Sequence, residues 1–194
     1  MNRRPAVLLD RDGNLNVQID YVTRPEEIRL IPGAAEAICR LRQAGYILPV
    51  VTNQSAIARG FITEFELGEI HREMRRQLAQ AGAEVDEIFY CPHHPEHGSP
   101  PYLKACACRK PEPGLLLRAA EELDLDLERS IMVGDSLSDL QAGWNAGCRV
   151  ALVLTGSGEK TRSEANPETL GRIDCIADTL SEVADWILLQ KAED

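Results

Sequence analysis

The sequence predicts an α/β fold, a three-layer sandwich whose central sheet is mostly parallel. Short apolar runs alternate along the chain with segments of helical spacing, which is the order found in parallel sheets covered on both faces. The runs at 7–9 and 46–51 are mostly apolar, as expected of strands with both faces buried. With 194 residues the chain is long enough for one domain, which we assign to 1–194.

The first half of the chain predicts three strands and two helices. Gly33 and Gly45 bound the first helix, because glycine is typical of the positions next to a helix end. Thr63 followed by Glu66 is a capping box and predicts a second helix that runs to about Gln80. The predicted strands of this half are 7–9, 46–51 and 88–90.

The second half predicts two strands and three helices. The strands are 130–133 and 150–154; the helices are 115–123, one that follows Asp135, and 180–190. The segment 155–174 is polar and rich in glycine, and it is predicted to be a surface loop.

Composition restricts the partners of the chain. The formal net charge of −10 disfavours nucleic acids and anionic membranes, which both need a basic face. A small phosphate ester remains compatible with this charge, because a metal and a few local cations can reverse the sign of one pocket. No apolar run approaches the roughly 20 residues that cross a bilayer, and no signal peptide is recognised. We therefore expect a cytoplasmic monomer.

Two aspartates, Asp10 and Asp12, directly follow the first predicted strand. Ligands bind outside the carboxyl ends of strands in open α/β sheets, and residues two apart on an extended segment point the same way. Carboxylates so close together repel, which favours a divalent cation and a division of labour between nucleophile and acid/base. The alternative is an aspartate that caps a helix, with Asp12-Gly13 as an ordinary turn.

Polar residues also follow two other predicted strands. Thr52 to Ser55 come after the second strand, and Asp135 comes after the fourth. A cationic pair, Arg109 and Lys110, lies just ahead of the helix 115–123. Because these residues occur in order and at strand ends, they predict one shared site at that edge of the sheet.

Four metal-binding side chains lie in two tight pairs along the chain: Cys91 and His93, then Cys106 and Cys108. Three thiolates and one imidazole are a known ligand set for tetrahedral structural zinc. The residues between the pairs include several prolines, so the loop 91–108 needs a metal to order it. Free or disulfide-paired cysteines are the alternative, and His94 and His97 are rival ligands.

The strand-end residues together resemble the four motifs of the haloacid dehalogenase superfamily of phosphohydrolases. The resemblance implies a Rossmann-like fold in which Asp10 attacks a phosphoryl group and forms an aspartyl-phosphate. It implies that Asp12 protonates the leaving alcohol and then activates water. Mg²⁺ would be held by Asp10, Asp135 and the backbone carbonyl of Asp12, with Thr52 and Lys110 on the phosphoryl oxygens.

Three further expectations concern the surroundings of these motifs. We expect Asp139 to lie behind the metal, on the same side as Asp135 if the helix has begun between them. Asn14 stands where a threonine often follows the glycine of the first motif, and its role is open. Neither interval between the motifs has room for a separate cap domain, so we expect a capless protein with the loop 91–108 as a wall of the site.

The runs 52–60, 91–95 and 106–114 look like the family of D-glycero-D-manno-heptose-1,7-bisphosphate 7-phosphatases. This resemblance implies removal of the 7-phosphate from a sugar bisphosphate in the ADP-heptose route to lipopolysaccharide. It also implies a set of substrate contacts: Arg11, Gln18, Ile19, Asp20, Tyr21, Thr52, Asn53, Gln54, Ser55, Arg109 and Lys110.

Three alternative functions remain at this point. A histidinol-phosphate phosphatase shares the catalytic set and a zinc loop, but the longer loop here and the run 57–60 favour the heptose enzyme. A phospho-acceptor domain that does not hydrolyse its acyl phosphate is disfavoured by Asp12, since an acid/base so close should speed hydrolysis. A zinc-stabilised binding module without activity is disfavoured by the complete catalytic set.

Overall fold

Six parallel strands form one sheet in the computed structural model, which describes residues 3–191. The strands are β1 (Val7–Leu9), β2 (Val50–Asn53), β3 (Ile88–Cys91), β4 (Ile131–Gly134), β5 (Arg149–Val153) and β6 (Cys175–Ala177). Their spatial order is β3-β2-β1-β4-β5-β6, so β1 lies between β2 and β4. Register pairs Val7 with Ile131 and Leu9 with both Val133 and Val50.

Seven α-helices connect these strands within residues 3–191, with short 3-10 turns at Pro25–Glu27 and Leu127–Arg129. The helices are α1 (Ala34–Gln43), α2 (Glu64–Gln80), α3 (Gly114–Glu122), α4 (Leu137–Asn145), α5 (Gly158–Glu164), α6 (Pro167–Gly171) and α7 (Leu180–Lys191). The predicted capping box at Thr63 is formed: its hydroxyl accepts from Glu66 N, and the Glu66 carboxylate accepts from Thr63 N.

Both faces of the sheet are covered, as the apolar strands predict. Val7 and Leu9 pack into a core with α1, α2 and α7, whereas Leu8 between them packs with α3 and α4 on the other face. Because side chains alternate along a strand, a strand that is apolar at every position must be buried on both sides. The α/β three-layer prediction is confirmed.

The segment 155–174 differs from its prediction. Instead of a surface loop, it contains α5 and α6 and leads into β6 at the edge of the sheet. The start of α6 carries a readable signal, because the Asn166 side chain accepts from Thr169 N and Pro167 occupies the first helical turn. The start of α5 has no capping side chain, and β6 has three residues.

Among residues 3–191, no helix combines the length and apolar character needed to cross a membrane.

Candidate active site

Asp10 and Asp12 both line a cavity of about 270 Å³ at the carboxyl ends of β1, β2 and β4. The strand β1 ends at Leu9, so a turn, and not the pleat of a strand, places the two carboxylates. Gly13 permits this turn because its φ is +79°. A Cβ at Gly13 would lie 2.2 Å from Asp135 Oδ2, so the close approach of β4 also requires glycine.

Asp12 is held by hydrogen bonds from three residues. Arg11 Nη2 lies 2.7 Å from its Oδ2, Asn16 Nδ2 lies 2.9 Å from its Oδ1, and Gln54 Nε2 lies 3.0 Å from its Oδ2. Burial opposes ionisation of Asp12, but the Arg11 charge and these hydrogen bonds outweigh it, so the pKa of Asp12 lies below its usual range. Asp12 is therefore a carboxylate with a fixed orientation.

Asp10, Asp135 and Asp139 form what we call the carboxylate cluster, in which an oxygen of each lies within 4.8 Å of the others. Burial, together with repulsion from the other carboxylates, raises the pKa of Asp10 to about 6 and that of Asp135 to about 7. Three buried carboxylates grouped in this way offer hard oxygen donors, and they fit a divalent cation such as Mg²⁺.

Lys110 is the cation that the protein itself places in this cluster. Its Nζ lies 2.8 Å from Asp10 Oδ1 and 2.6 Å from Asp139 Oδ1, and it donates to Val51 O at 2.7 Å. Burial alone would lower the pKa of Lys110, but the charges of Asp10 and Asp139 raise it. Lys110 is therefore fully protonated, and its one positive charge faces three acidic groups.

Asp139 reaches this position by a different route from the one expected. The helix α4 begins at Leu137, so Asp135 lies before it and the two residues do not share a helix face. Instead, Asp139 accepts hydrogen bonds from Ser136 N at 3.0 Å and from Ser136 Oγ at 2.6 Å, which is a capping arrangement. One of its oxygens thus caps α4 while the other pairs with Lys110.

The end of β2 and the residues that follow it supply the opposite wall of the cavity. Thr52 Oγ1 accepts from Gln54 Nε2 at 2.9 Å, which fixes the hydroxyl beside Asp12. Asn53 exchanges two hydrogen bonds with the backbone of Lys110, at 3.0 and 3.1 Å. Asn53 therefore ties the β2 end to the segment that carries Lys110.

Several supporting residues were not identified from the sequence. Asn14 Nδ2 donates to Asp10 O at 3.2 Å and to Val133 O at 3.1 Å, so it joins the ends of β1 and β4. His71, on α2, lies 3.2 Å from Arg11 Nη1. Because burial and the Arg11 charge lower the pKa of His71 to about 3, the imidazole is neutral and accepts from Arg11. Nothing in the sequence spacing connects α2 with the first aspartates.

The second group of candidate ligands, which we call the thiol cluster, consists of Cys91, His93, Cys106 and Cys108. The sulfur atoms are 3.2 to 3.5 Å apart, and His93 Nδ1 lies 3.4 Å from Cys108 Sγ and 3.6 Å from Cys91 Sγ. These separations are too long for a disulfide, whose S–S bond is about 2.05 Å. Four such atoms around one point fit a tetrahedral zinc ion.

The rival histidines lie outside the thiol cluster. The ring of His94 stacks on that of His97 at 4.6 Å, and its Nδ1 accepts from the backbone N–H groups of Glu96 and His97, both at 3.1 Å. The loop they belong to packs closely on the segment after β2, since a Cβ at Gly98 would lie 1.8 Å from Ala58 O. No residue of the loop 91–108 lines the cavity, however, so the expectation that this loop is a wall of the site is not confirmed.

Arg109 follows Cys108 of the thiol cluster and precedes Lys110 in the sequence. It does not line the described cavity. Its Nη1 donates to His93 O at 3.1 Å, which ties it to the thiol cluster. Arg109 has no carboxylate partner among residues 3–191, so its charge is available to an anion that reaches the loop.

Comparison with known proteins identifies the family. A family model described as HAD-hydrolase-like matches residues 107–183. The D-glycero-beta-D-manno-heptose-1,7-bisphosphate 7-phosphatase of Bordetella bronchiseptica is 43% identical over 183 residues, which cover 94% of this chain and 97% of that protein. The chain belongs to this phosphatase family.

Two further relatives in the heptose-bisphosphate phosphatase family extend the match. The enzyme of Photorhabdus laumondii is 45% identical over 162 residues, covering 82% of this chain and 86% of that protein. The enzyme of Escherichia coli K12 is 39% identical over 189 residues, covering 96% and 95%. The predicted family resemblance is confirmed.

Solved structures of this family have the same fold. The D,D-heptose 1,7-bisphosphate phosphatase from B. bronchiseptica, complexed with magnesium and phosphate, matches with a TM-score of 0.85 and 42% identity over 96% of this chain and 99% of that one. The enzyme from Burkholderia thailandensis matches with a TM-score of 0.70 and 36% identity over 95% and 99%. The family fold therefore extends over nearly all of this chain.

Proposed function

We propose that this protein is a Mg²⁺-dependent phosphatase that removes the 7-phosphate of D-glycero-D-manno-heptose 1,7-bisphosphate. The observation that carries the proposal is the cavity whose floor holds Asp10 and Asp12 beside a buried, protonated Lys110. The family to which the chain belongs supports the substrate, since its members carry this activity in their names. The alternative substrate, histidinol phosphate, is not favoured by any of these relatives.

Asp10 is proposed as the nucleophile. Its carboxylate oxygen would bond to phosphorus while the bond between phosphorus and the sugar oxygen breaks, which yields an aspartyl-phosphate and an alkoxide. Lys110, 2.8 Å from Asp10, would hold Asp10 in its ionised form and contact an oxygen of the transferred group. The Thr52 hydroxyl, buried at the end of β2, would contact another phosphoryl oxygen.

Asp12 is proposed as the acid and then the base. It would give a proton to the leaving alkoxide, and its carboxylate would then take a proton from the water that attacks the aspartyl-phosphate. The products of that second step are inorganic phosphate and free Asp10. The lowered pKa of Asp12 suits the base role, and an incoming phosphate dianion would raise that pKa by charge repulsion and so favour the acid role.

Magnesium fits the carboxylate cluster, where Asp10, Asp135 and the backbone carbonyl of Asp12 are proposed to hold it. When bound, it supplies positive charge that neutralises the transferred phosphoryl group. Asp139 keeps its contacts with Lys110 and Ser136, so we propose that it positions Lys110 and does not bind the metal directly.

The substrate is proposed to bind along the cavity. Of the expected contacts, Gln18, Ile19, Asp20 and Tyr21 line one side and Thr52, Asn53, Gln54 and Ser55 another, with Arg11 and Lys110 at the floor. The Arg11 guanidinium is occupied by Asp12 and His71. The backbone N–H groups of Arg11 and Asp12 have no hydrogen-bond acceptor among residues 3–191, which suits them to a phosphoryl oxygen.

Zinc is proposed at the thiol cluster, with Cys91, His93, Cys106 and Cys108 as ligands. Four protein ligands leave no open position, so the role would be structural. The metal would order the loop 91–108 and fix Arg109 and Lys110, which directly follow the last ligand. Arg109 would then contact the phosphate of the substrate that does not react. We propose that the enzyme is cytoplasmic and monomeric and acts in the ADP-heptose route.

One assay tests the proposed function. Phosphate release is measured with Mg²⁺ from heptose 1,7-bisphosphate, fructose 1,6-bisphosphate and histidinol phosphate, side by side. The expected result is that kcat/KM is highest for the heptose bisphosphate and that Asp10→Asn abolishes release from all three substrates. A preference for histidinol phosphate would favour the alternative enzyme, and no release from any of them would contradict a phosphatase.

A further inference from the structure

The segment after β5 contacts the carboxylate cluster, although its sequence resembles a surface loop. Ser157 N donates to Asp135 Oδ2 at 2.7 Å, and Thr161 Oγ1 donates to Asp135 O at 2.8 Å. Thr155 Oγ1 donates to Gly13 O at 2.5 Å. One short segment, 155–161, therefore holds both the side chain and the backbone of Asp135 and also holds the turn that follows Asp12.

Two glycines enclose the same oxygen of Asp135. The φ of Gly156 is +58°, and a Cβ built there would lie 2.2 Å from Asp135 Oδ2 and 2.6 Å from Gly13 Cα. A Cβ at Gly13 would also lie 2.2 Å from that oxygen. Neither backbone leaves room for one more carbon, so a side chain at either glycine would displace the Asp135 carboxylate.

The segment also reaches the residues proposed to contact the sugar. Ser157 Oγ donates to Gln18 Oε1 at 3.0 Å, and Gln18 lines the cavity. Ser157 therefore contacts the metal-site aspartate through its backbone N–H and the cavity wall through its hydroxyl. No other residue among those described hydrogen-bonds to both Asp135 and Gln18.

We propose that the segment 155–161 is a positioning clamp for the metal site. It engages Oδ2 of Asp135 through Ser157 N, which leaves Oδ1 for the cation, and it couples this ligand to the substrate-contacting wall through Ser157 Oγ and Gln18. The proposal rests on the Mg²⁺ role of Asp135 in the proposed function. Ser157 and Thr161 are positioning residues, since they act through Asp135 and Gln18.

The first test measures Mg²⁺ binding without substrate. The full chain is first treated with EDTA to remove bound metals, and zinc is then added back. Its melting temperature is followed as MgCl₂ is titrated in. Gly156→Ala should raise the half-saturating Mg²⁺ concentration about ten- to a hundredfold, as loss of groups that orient metal ligands does. Gly147→Ala is the matched control, because its φ is +82° and nothing lies within 4 Å of the added carbon.

A milder pair of variants keeps the test decisive if Gly156→Ala does not fold. Thr161→Val removes the hydroxyl that contacts Asp135 O and should raise the half-saturating Mg²⁺ concentration, whereas Thr161→Ser should restore it. A role in packing alone would leave the Mg²⁺ midpoint of Thr161→Val within twofold of wild type. That outcome, or an unchanged midpoint in folded Gly156→Ala, would overturn the clamp.

The coupling to the substrate wall has its own measurement. Ser157→Ala keeps the N–H that contacts Asp135 but loses the hydroxyl, so it should raise KM for the bisphosphate severalfold with kcat nearly unchanged. Gln18→Ala should raise KM at least as much, because it also removes a proposed substrate contact, and the double variant should lose no more than Gln18→Ala alone. Fully additive losses in KM would show that the two side chains act independently and would overturn the coupling.

Failure of the clamp and failure of the proposed function give different results. If Asp135→Asn loses the Mg²⁺ shift and Gly156→Ala keeps it, the metal site stands and the clamp is wrong. If the wild-type protein shows no Mg²⁺ shift and no phosphatase activity, the proposed function is wrong, and the clamp falls with it.

Discussion

The carboxylate cluster and the thiol cluster are built in opposite ways. The carboxylates come from the ends of β1 and β4 and the start of α4, which the sheet fixes in place. Of the thiol-cluster ligands, Cys91 lies on a strand, and the other three lie in irregular chain. The fold thus fixes the first cluster, whereas the second lies mostly in irregular chain, and under the proposed zinc role a bound ion would hold its ligands together.

The two clusters also differ in charge and in access. The carboxylate cluster opens onto the cavity and holds three acids against one lysine, which suits it to a cation and a phosphoryl group together. The thiol cluster offers four candidate ligand atoms around one point, which would leave a bound metal no open position. An open site with unbalanced charge suits catalysis, and a closed, satisfied site suits structure.

The largest expected effect comes from removing the nucleophile from the carboxylate cluster. Asp10→Asn should lower kcat at least about a thousandfold, because an amide does not attack phosphorus. The melting temperature should stay at or above that of wild type, since Asn removes one of the repelling charges. Phosphate release and thermal unfolding are measured together, with the exposed Asp178→Asn as the control. Activity above a few per cent of wild type would remove Asp10 from its role.

Removing a ligand from the thiol cluster should act on stability first. Protein purified without added metal should contain about one zinc per chain. Cys106→Ser or Cys108→Ser should lose it and lower the melting temperature by about 10 °C, because a loss of about 3 kcal/mol moves a chain of this size by about 2–4 °C per kcal/mol. Activity should fall as well, since Lys110 follows the last ligand by two residues.

Cys175→Ser, which changes a cysteine outside the cluster, is the matched control for the zinc variants. Elemental analysis and thermal unfolding distinguish the cases. A zinc-free protein with wild-type activity and an unchanged melting temperature would show that the thiol cluster does not depend on metal. The proposed difference between a cluster fixed by the fold and a cluster held by a metal would then be wrong.

Arg109 tests whether the thiol cluster contributes to substrate selection. Arg109→Ala should lower kcat/KM for the bisphosphate about ten- to a hundredfold, as expected for a charged hydrogen bond, and should affect a monophosphate much less. Lys110→Ala should damage both substrates equally. Equal losses in Arg109→Ala would mean that its contact with His93 O is its whole role, and would weaken the bisphosphate assignment.

The smallest effect concerns the pH dependence of stability and His71, which contacts Arg11 beside Asp12. Its pKa is lowered to about 3, so the folded protein keeps the imidazole neutral, while the unfolded chain takes up a proton below about pH 6.5. The unfolded state then binds more protons, so acidification from pH 6.5 toward pH 3 destabilises the fold. Stability is restored as the pH rises again.

Urea unfolding of wild type and His71→Gln at pH 7, 6 and 5, with EDTA in both, measures this contribution. The free energy of unfolding of wild type should fall more steeply, by up to about 1.4 kcal/mol per pH unit. Glutamine offers an oxygen to Arg11, so the variant keeps an acceptor there. Parallel curves for the two proteins would show that His71 does not carry the pH dependence.

Much of the sheet could be predicted because its strands are apolar on both faces. The exact start of β2 could not: the prediction began at Tyr46, whereas the strand begins at Val50, directly after Pro49, which has no N–H to donate. The segment 155–174 was predicted wrongly because its composition is polar. Its contacts with Asp135 depend on β5 lying next to β4, which no local pattern reports.

The candidate site divides in the same way. Asp10 and Asp135 were predicted from their places at strand ends and from the family resemblance, and the four thiol-cluster ligands from short-range spacing. The structure brings each set together. The partners that orient them were not predicted, because Arg11 meets His71 and Asn14 meets Val133 O across long stretches of chain. Sequence patterns identify the candidate site residues, whereas the packing of distant elements decides which residues hydrogen-bond to them.

The place of β1 in the sheet has a consequence for synthesis of the chain. β1 is the first strand made, yet it lies between β2 and β4. When β3 has left the ribosome, β1 has one paired edge, and its other edge waits for Ile131–Gly134. At about 5–20 residues per second this interval lasts roughly 2–8 s. During it, the nascent protein presents an open, apolar strand edge, which is a binding site for chaperones and a starting point for aggregation.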